Sequence, residues 1–267
     1  MTQLNSQSRR SEGGFTLVEL AIVMIIIGLL IGGILKGQEL INNARVSSSV
    51  TQLKGVESAV STFRDKYAAL PGDIAIPGAA TPAARLPNCA AAVCATDGDG
   101  DGLIEVTAGG APGGNGGAAS INSEAGRLFI HLAAAGMVSG NINPSLAAWA
   151  VQGALPDFNL GGSLRLGYND NVAPTGLIVG GAQSSHYIAV GTVAGNTMAA
   201  PNVTLAASAA ANIDRKLDDG NPNTGSVLAS GSAGGAVTNC ASAIGIAALY
   251  NEQLDGKVCG LFIRAIN

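Results

Sequence analysis

The densest concentration of reactive side chains is Asp97-Gly98-Asp99-Gly100-Asp101-Gly102-Leu103-Ile104-Glu105. Three carboxylates alternate with glycines, one glycine permits the sharp turn, and an isoleucine occupies the hydrophobic slot. That is the order of the first nine positions of an EF-hand loop, with Leu103 supplying a backbone carbonyl. The twelfth position, where a bidentate Glu belongs, is Ala108, so Glu105 would substitute, directly or through water. The chemistry on offer is capture of a hard cation, Ca2+, which would also relieve repulsion among Asp97, Asp99 and Asp101. The other reading is a solvated Asp-Gly loop tip. Asp214, Asp218 and Asp219 read as helix-end and turn residues. Cys89, Cys94, Cys240 and Cys259 allow three pairings. Proximity in sequence favours Cys89–Cys94 and Cys240–Cys259, the second closing a loop worth about 3 kcal/mol in the chain-entropy model. A metal site is the poorer use of these cysteines, because their spacings are wrong and no His lies nearby.

Catalysis finds little support. His131 falls in an apolar helical pattern and His186 at the start of a strand pattern, where packing or surface roles are the ordinary ones. No Gly-x-Ser-x-Gly, His-Glu-x-x-His or phosphate-loop pattern occurs. The glycine-rich run at 109–117 lacks Lys, and no strand feeds it. Trp149 and the tyrosines read as core packing, with a ligand patch as the other reading. An enzyme is not expected. A nucleic-acid partner is not expected either: acids outnumber bases 18 to 14 and the net charge is −4. Disorder is not expected, given a 47% hydrophobic composition and that small net charge.

One acid stands out by its surroundings. Residues 15–35 read FTLVELAIVMIIIGLLIGGIL, with Glu19 as the only charge. As a helix this stretch spans about 32 Å at ~1.5 Å per residue, enough for a hydrocarbon core of roughly 30 Å. Arg9 and Arg10 precede it and hold that end in the cytoplasm by the positive-inside rule, so the chain beyond Leu35 is exported. An ionised carboxylate inside a membrane costs roughly 3 kcal/mol on insertion scales, so Glu19 calls for a partner. Cleavage between Gly14 and Phe15 would free an α-amino group one helical turn from Glu19. It could pair within the chain or with the Glu of a neighbouring subunit. Without cleavage, the segment is a plain membrane anchor.

Gly13-Gly14-Phe15-Thr16-Leu17-Val18-Glu19-Leu20, after a short basic leader and before an uninterrupted apolar helix, closely resembles the processing signal of type IV pilins and type II secretion pseudopilins. The resemblance implies cleavage after Gly14 by a prepilin peptidase, N-methylation of Phe15, and a docking role for Glu19. It implies an α+β fold: a long N-terminal helix whose first half packs in a filament core and whose second half packs on an antiparallel sheet. The implied partners are copies of itself or other pilins and pseudopilins, the peptidase and methylase, the inner-membrane assembly machinery, and lipid before assembly. The implied location is the bacterial inner membrane with the head in the periplasm, then a surface pilus or a periplasmic pseudopilus. Family members often carry a proline where this chain has Lys36. Gly28, Gly32 and Gly33 are then either weak points of the helix or sites of close helix packing. C-terminal disulfide loops occur in type IV pilins, where they help form an exposed edge. More weakly, Leu70-Pro71-Gly72-Asp73, residues 124–136 and residues 213–222 look like segments of large-headed prepilin-type proteins.

The elements that would position these residues are read from periodicity. Val46, Val50, Leu53, Val56, Val60, Phe63 and Tyr67 recur at spacings of three and four, one stripe of an amphipathic helix ended by Pro71-Gly72. Residues 71–120 read as a long loop region. A short helix is expected from about 124 to 138, strands at 163–168, 176–179, 187–190 and 258–263, and a helix at 204–217. The expected partition is a leader at 1–14, an assembly half-helix at 15–38, an amphipathic half at 39–68, and an exported α+β head at 69–267.

Overall fold

The computed structural model describes residues 14–74, 86, 98–104, 124–139, 156–169, 184–191, 203–230, 239–242, 248–254 and 256–266. The chain divides into two compact units, residues 1–44 and 45–267. One helix, α1 (Leu17–Tyr67), contributes to both.

From Leu17 to Leu35 α1 is built mainly from Leu, Ile, Val, Met and Gly, with Glu19 as the only charge. Its large apolar side chains, from Leu17 to Ile41, are exposed. Its best 18-residue window has mean hydropathy 2.8, and among the described residues α1 is the helix long and apolar enough to cross a membrane. Lys36 and Glu39 form an exposed ion pair one turn apart, a geometry worth only a few tenths of a kcal/mol, ~0.3–0.5.

In the second unit the same helix becomes one-sided. Val46, Ser49, Leu53, Val56, Ala59, Val60 and Phe63 are buried, with Val50 and Tyr67 packed partly against them. This is the stripe expected from the three-and-four spacing. Ser49 satisfies its hydroxyl on the Arg45 carbonyl at 2.9 Å, so the one polar member of the stripe carries no unpaired donor. Arg64 and Lys66 sit in the last turn, where positive charge complements the helix dipole.

The rest of this unit is α2 (Glu124–Ala134), β1 (Ser163–Asn169), β2 (Ser185–Gly191), α3 (Ala207–Leu217), β3 (Val227–Ser230) and β4 (Gly260–Ile266). The four strands form one antiparallel sheet in the order β1-β2-β4-β3. Its register places two apolar rows across one face. Leu166, Ile188, Ile263 and Val227 form one row, and Leu164, Val190, Leu261 and Ala229 the other. All eight belong to the same hydrophobic cluster as Leu53, Val60 and Phe63 of α1. A one-residue slip of any strand would turn its row outward, so burial of this face fixes the register. The α+β layout expected from the sequence is therefore present.

Several boundaries differ from expectation, each for a local reason. α2 ends at Ala134, not near 138. Gly136 has φ +72°, its N–H reaches the Ala133 carbonyl, and the Met137 N–H reaches that of Leu132, the paired bonds of a Schellman stop. α3 begins at Ala207, not 204, because Leu205 bridges to Cys259 beside β4. The four-residue β3 was not anticipated: all of its side chains are buried, so it shows no alternation to detect. The expected strand at 176–179 lies outside the described residues. Cys240 and Cys259 form a disulfide with Cα atoms 5.0 Å apart, whereas Cys89 and Cys94 lie outside the described residues.

Two glycines give opposite expectations. At Gly55, within α1, an added Cβ meets nothing within 4 Å, so Gly55→Ala raises stability by about 0.5–1 kcal/mol through helix propensity. At Gly72, with φ +98°, a Cβ would lie 2.2 Å from the Glu124 carbonyl oxygen, so Gly72→Ala lowers stability by at least about 1–3 kcal/mol. Urea unfolding of the full chain in detergent measures both.

Candidate functional site

The motif-bearing N-terminus is organised around the start of α1. Gly14, Phe15 and Thr16 precede the helix, and Phe15 is 88% exposed. Thr16 is the cap. Its backbone N–H and its hydroxyl both donate to Glu19 Oε2 at 2.9 Å, and its Oγ1 accepts the Glu19 N–H at 3.3 Å. This is the reciprocal capping box of a Thr-x-x-Glu sequence. The Thr16 carbonyl accepts the first helical hydrogen bond, from Leu20 N–H, at 3.2 Å. Glu19, which the sequence left seeking a partner, thus finds one inside the uncut chain. Its carboxylate lies back toward the helix N-terminus, where the dipole favours negative charge. Thr16 was not singled out from the sequence, although the Thr-x-x-Glu spacing before an apolar run is a readable signal.

The Asp-Gly loop is a second site, and its chemistry is set by residues distant in sequence. Asp73 is buried, and its two carboxylate oxygens accept the N–H groups of Gly100 at 2.6 Å and Gly102 at 2.8 Å. Glu124, at the first position of α2, accepts the Asp99 N–H through Oε1 at 3.2 Å. Asp99 and Asp101 each cap a local turn, accepting the N–H of Asp101 and of Leu103. Carboxylate oxygens of Asp73, Asp99 and Glu124 lie within 4.8 Å of one another. Burial pushes the Asp73 carboxyl above the usual carboxylate range, reinforced by Asp101 and Asp99 and opposed by the Gly102 and Gly100 amides. Of the expected ligands, Asp99, Asp101 and Leu103 are in this loop, while Asp97 and Glu105 lie outside the described residues. Asp73 and Glu124 join the cluster from 27 and 25 residues away from the amides they hold, separations that no local motif encodes.

The two histidines flank this loop. His131 Nδ1 accepts the Gly72 N–H at 2.9 Å, and His186 Nε2 accepts the Ile104 N–H at 3.2 Å. Each spends a ring nitrogen on a backbone amide, which removes that nitrogen from general-base work.

A third acidic group closes α3. Asp214 is fully buried; its Oδ1 accepts the Gly220 N–H at 3.2 Å and its Oδ2 the Tyr250 hydroxyl at 2.8 Å. Asp218 accepts the Val227 N–H at 3.2 Å and also that of Ser226. Asp219 accepts the Asn221 N–H at 2.8 Å and the Thr224 hydroxyl at 2.5 Å. These residues end the helix and shape the turn into β3. Arg215 pairs with Glu252 through its two terminal nitrogens, Nη1 and Nη2, so α3 and the segment before Cys259 are tied at two points.

Comparison with known proteins bears on the first of these sites. The family model described as the prokaryotic N-terminal methylation motif matches residues 9–35. This is the signature of type IV pilins and pseudopilins, proteins processed by prepilin peptidase. No curated protein and no solved structure matches the chain significantly. The motif points to a structural subunit rather than an enzyme.

The Asp214 site predicts a pH dependence. Burial, with Asp219 and Asp218 nearby, raises its pKa from 3.8 to about 7 against the pull of Tyr250 and Gly220. Within that window the folded chain holds a proton that the unfolded chain has released. Its contribution to stability therefore falls as pH rises from 3.8 to about 7 and is constant above. Asp214→Asn removes this contribution: relative to wild type its stability gains with rising pH, by up to about 1.4 kcal/mol per unit. Urea titrations at pH 5, 6 and 7 measure the difference.

Proposed function

We propose that this chain is a structural subunit of a type IV pilus or pilus-like filament. On this reading it is cut after Gly14 by prepilin peptidase, methylated at Phe15, and assembled through the apolar half of α1. The observation that carries the proposal is the coincidence of three features at one end of the chain. The methylation motif occupies residues 9–35, the apolar side chains of α1 stand exposed, and Glu19, the lone acid of residues 15–35, is held at the helix start by Thr16. An apolar helix without a core of its own is covered by lipid before assembly and by neighbouring helices afterwards. Cleavage would free the Phe15 amine beside Thr16, within reach of the Glu19 carboxylate or that of a neighbour. Pairing with an ammonium group offsets the roughly 3 kcal/mol cost of placing a carboxylate in a bilayer.

The head, on this reading, is exported to the periplasm, where the Cys240–Cys259 disulfide forms under oxidising conditions. The subunit is drawn from the inner membrane by its assembly machinery. A pseudopilin of type II secretion shares the same motif, and a membrane-anchored binding domain could use the same export route; the destination separates the three. Calcium at the Asp-Gly loop belongs to the proposal as well. It is supported by the alternating Asp97, Asp99 and Asp101, and by the approach of Asp73 and Glu124 to Asp99.

Two experiments test these statements. Shearing of cells is expected to release the wild-type chain in sedimentable fibres. Glu19→Ala is still processed, but its yield in that fraction falls at least about tenfold, equivalent to ~1.4 kcal/mol of lost docking energy. A secretion defect in the deletion strain without surface fibres identifies the pseudopilin instead, and normal fibre yield from Glu19→Ala removes its docking role. For the ion, calcium added to the chelator-stripped full chain raises the melting temperature by several degrees; an unchanged value removes calcium from the proposal.

A further inference from the structure

Two chain segments of the head, 70–74 and 98–104, belong to no helix or strand; Leu70, Ile74 and Ile104 anchor them in the core, the Ile104 carbonyl accepts the Tyr168 N–H of β1 at 2.8 Å, and side-chain acceptors hold their own amides. Asp73 links the segments to each other through the Gly100 and Gly102 amides. His131 of α2 holds the first through the Gly72 N–H, and His186 of β2 holds the second through the Ile104 N–H. Both rings are buried, at 0% and 6% exposure. An imidazole nitrogen accepts a hydrogen bond only while it carries no proton.

The surroundings of the two rings disfavour a second proton. His131 stacks on Phe63 of α1, ring centroids 6.4 Å apart; the charge acting on it is Arg127 of its own helix, and its Nε2 is buried without a hydrogen bond among the described residues. His186 meets the edge of Tyr168 of β1 at 5.2 Å, and the charge acting on it is Arg64 of α1. Both rings are thus opposed by a guanidinium group.

We propose that His131 and His186 form an acid-released clasp: a proton on either ring turns its acceptor nitrogen into a donor facing a backbone N–H and loosens the segment that ring holds, 70–74 for His131 and 98–104 for His186, at that amide. Burial, with the neighbouring Arg, lowers each folded-state pKa from 6.5 to about 4. The stabilisation is therefore complete above pH 6.5 and is lost as pH falls through about 4. Asp214 runs in the opposite direction, so the clasp is read from local probes and from the difference between variants, not from the overall pH profile.

The test uses the full chain in detergent with chelator present. Amide exchange at Gly72 and Ile104, corrected for its intrinsic pH dependence, is compared at pH 7 and pH 4.5 in wild type and in His131→Asn with His186→Gln. These replacements keep an acceptor near the same place and do not titrate. Wild type is expected to lose protection at the two amides by at least about tenfold between these pH values, up to ten per proton per pH unit, while the double variant keeps its protection. Equal loss in both proteins overturns the proposal. Should the double variant fail to fold, imidazole NMR titration of wild type decides: transitions near pH 4 support the clasp, and transitions near 6.5 overturn it.

Discussion

An apolar helical surface with nothing of its own to lie against is the constraint on which the rest depends. From Leu17 to Ile41 the large side chains of α1 are exposed, and apolar surface in water is unfavourable by about 25 cal/mol per Å2. Lipid or other helices must cover it. That requirement makes Glu19 conspicuous, and it explains why the acid is not left bare. The capping box with Thr16 satisfies one carboxylate oxygen and fixes where the helix starts, just beyond the Gly14–Phe15 bond. A single local interaction therefore leaves the Gly14–Phe15 bond outside the helix and the acid in its first turn.

Beyond Ala44 the same helix answers a different demand. Its stripe from Val46 to Phe63 joins two rows of sheet residues in one hydrophobic cluster. With aromatics at 4% of the chain and charges at 12%, this cluster is made mostly of Ala, Val, Leu and Ile, with a few aromatics such as Phe63 and Phe129; the described segments 70–74 and 98–104 that enter it are neither helix nor strand. Loops that cross a core bring backbone N–H groups that must be paired. The buried polar side chains serve that need: Asp73, His131, His186 and Asp214 each accept from a backbone amide. Their shared role explains why buried titratable groups are numerous in a head with so few charges. It also ties their protonation to loop attachment.

The legible parts of this chain were those encoded locally. The apolar span, the processing motif, the amphipathic stripe and the antiparallel strands around 163–168, 187–190 and 258–263 arise from periodicity and residue type, and the comparisons support the motif. The Cys240–Cys259 pairing was reachable by proximity. What escaped was encoded by contact across the chain. β3 hides because both of its faces are buried. The start of α3 moved because Leu205 is claimed by a bridge to Cys259. Asp73, Glu124, His131 and His186 gained roles only when the fold brought their segments together with residues 70–74 and 98–104; from the sequence, the two histidines were packed or surface residues. Thr16 was the exception, a local signal overshadowed by the acid it holds.

The most direct test of the account is the mass of the N-terminal peptide from chain recovered intact from cells. The account predicts a peptide beginning at Phe15 and carrying one added methyl group. A chain that still begins at Met1, with residues 1–14 attached, would contradict it, because the apolar helix would then be an ordinary anchor and Glu19 would have no freed amine to meet.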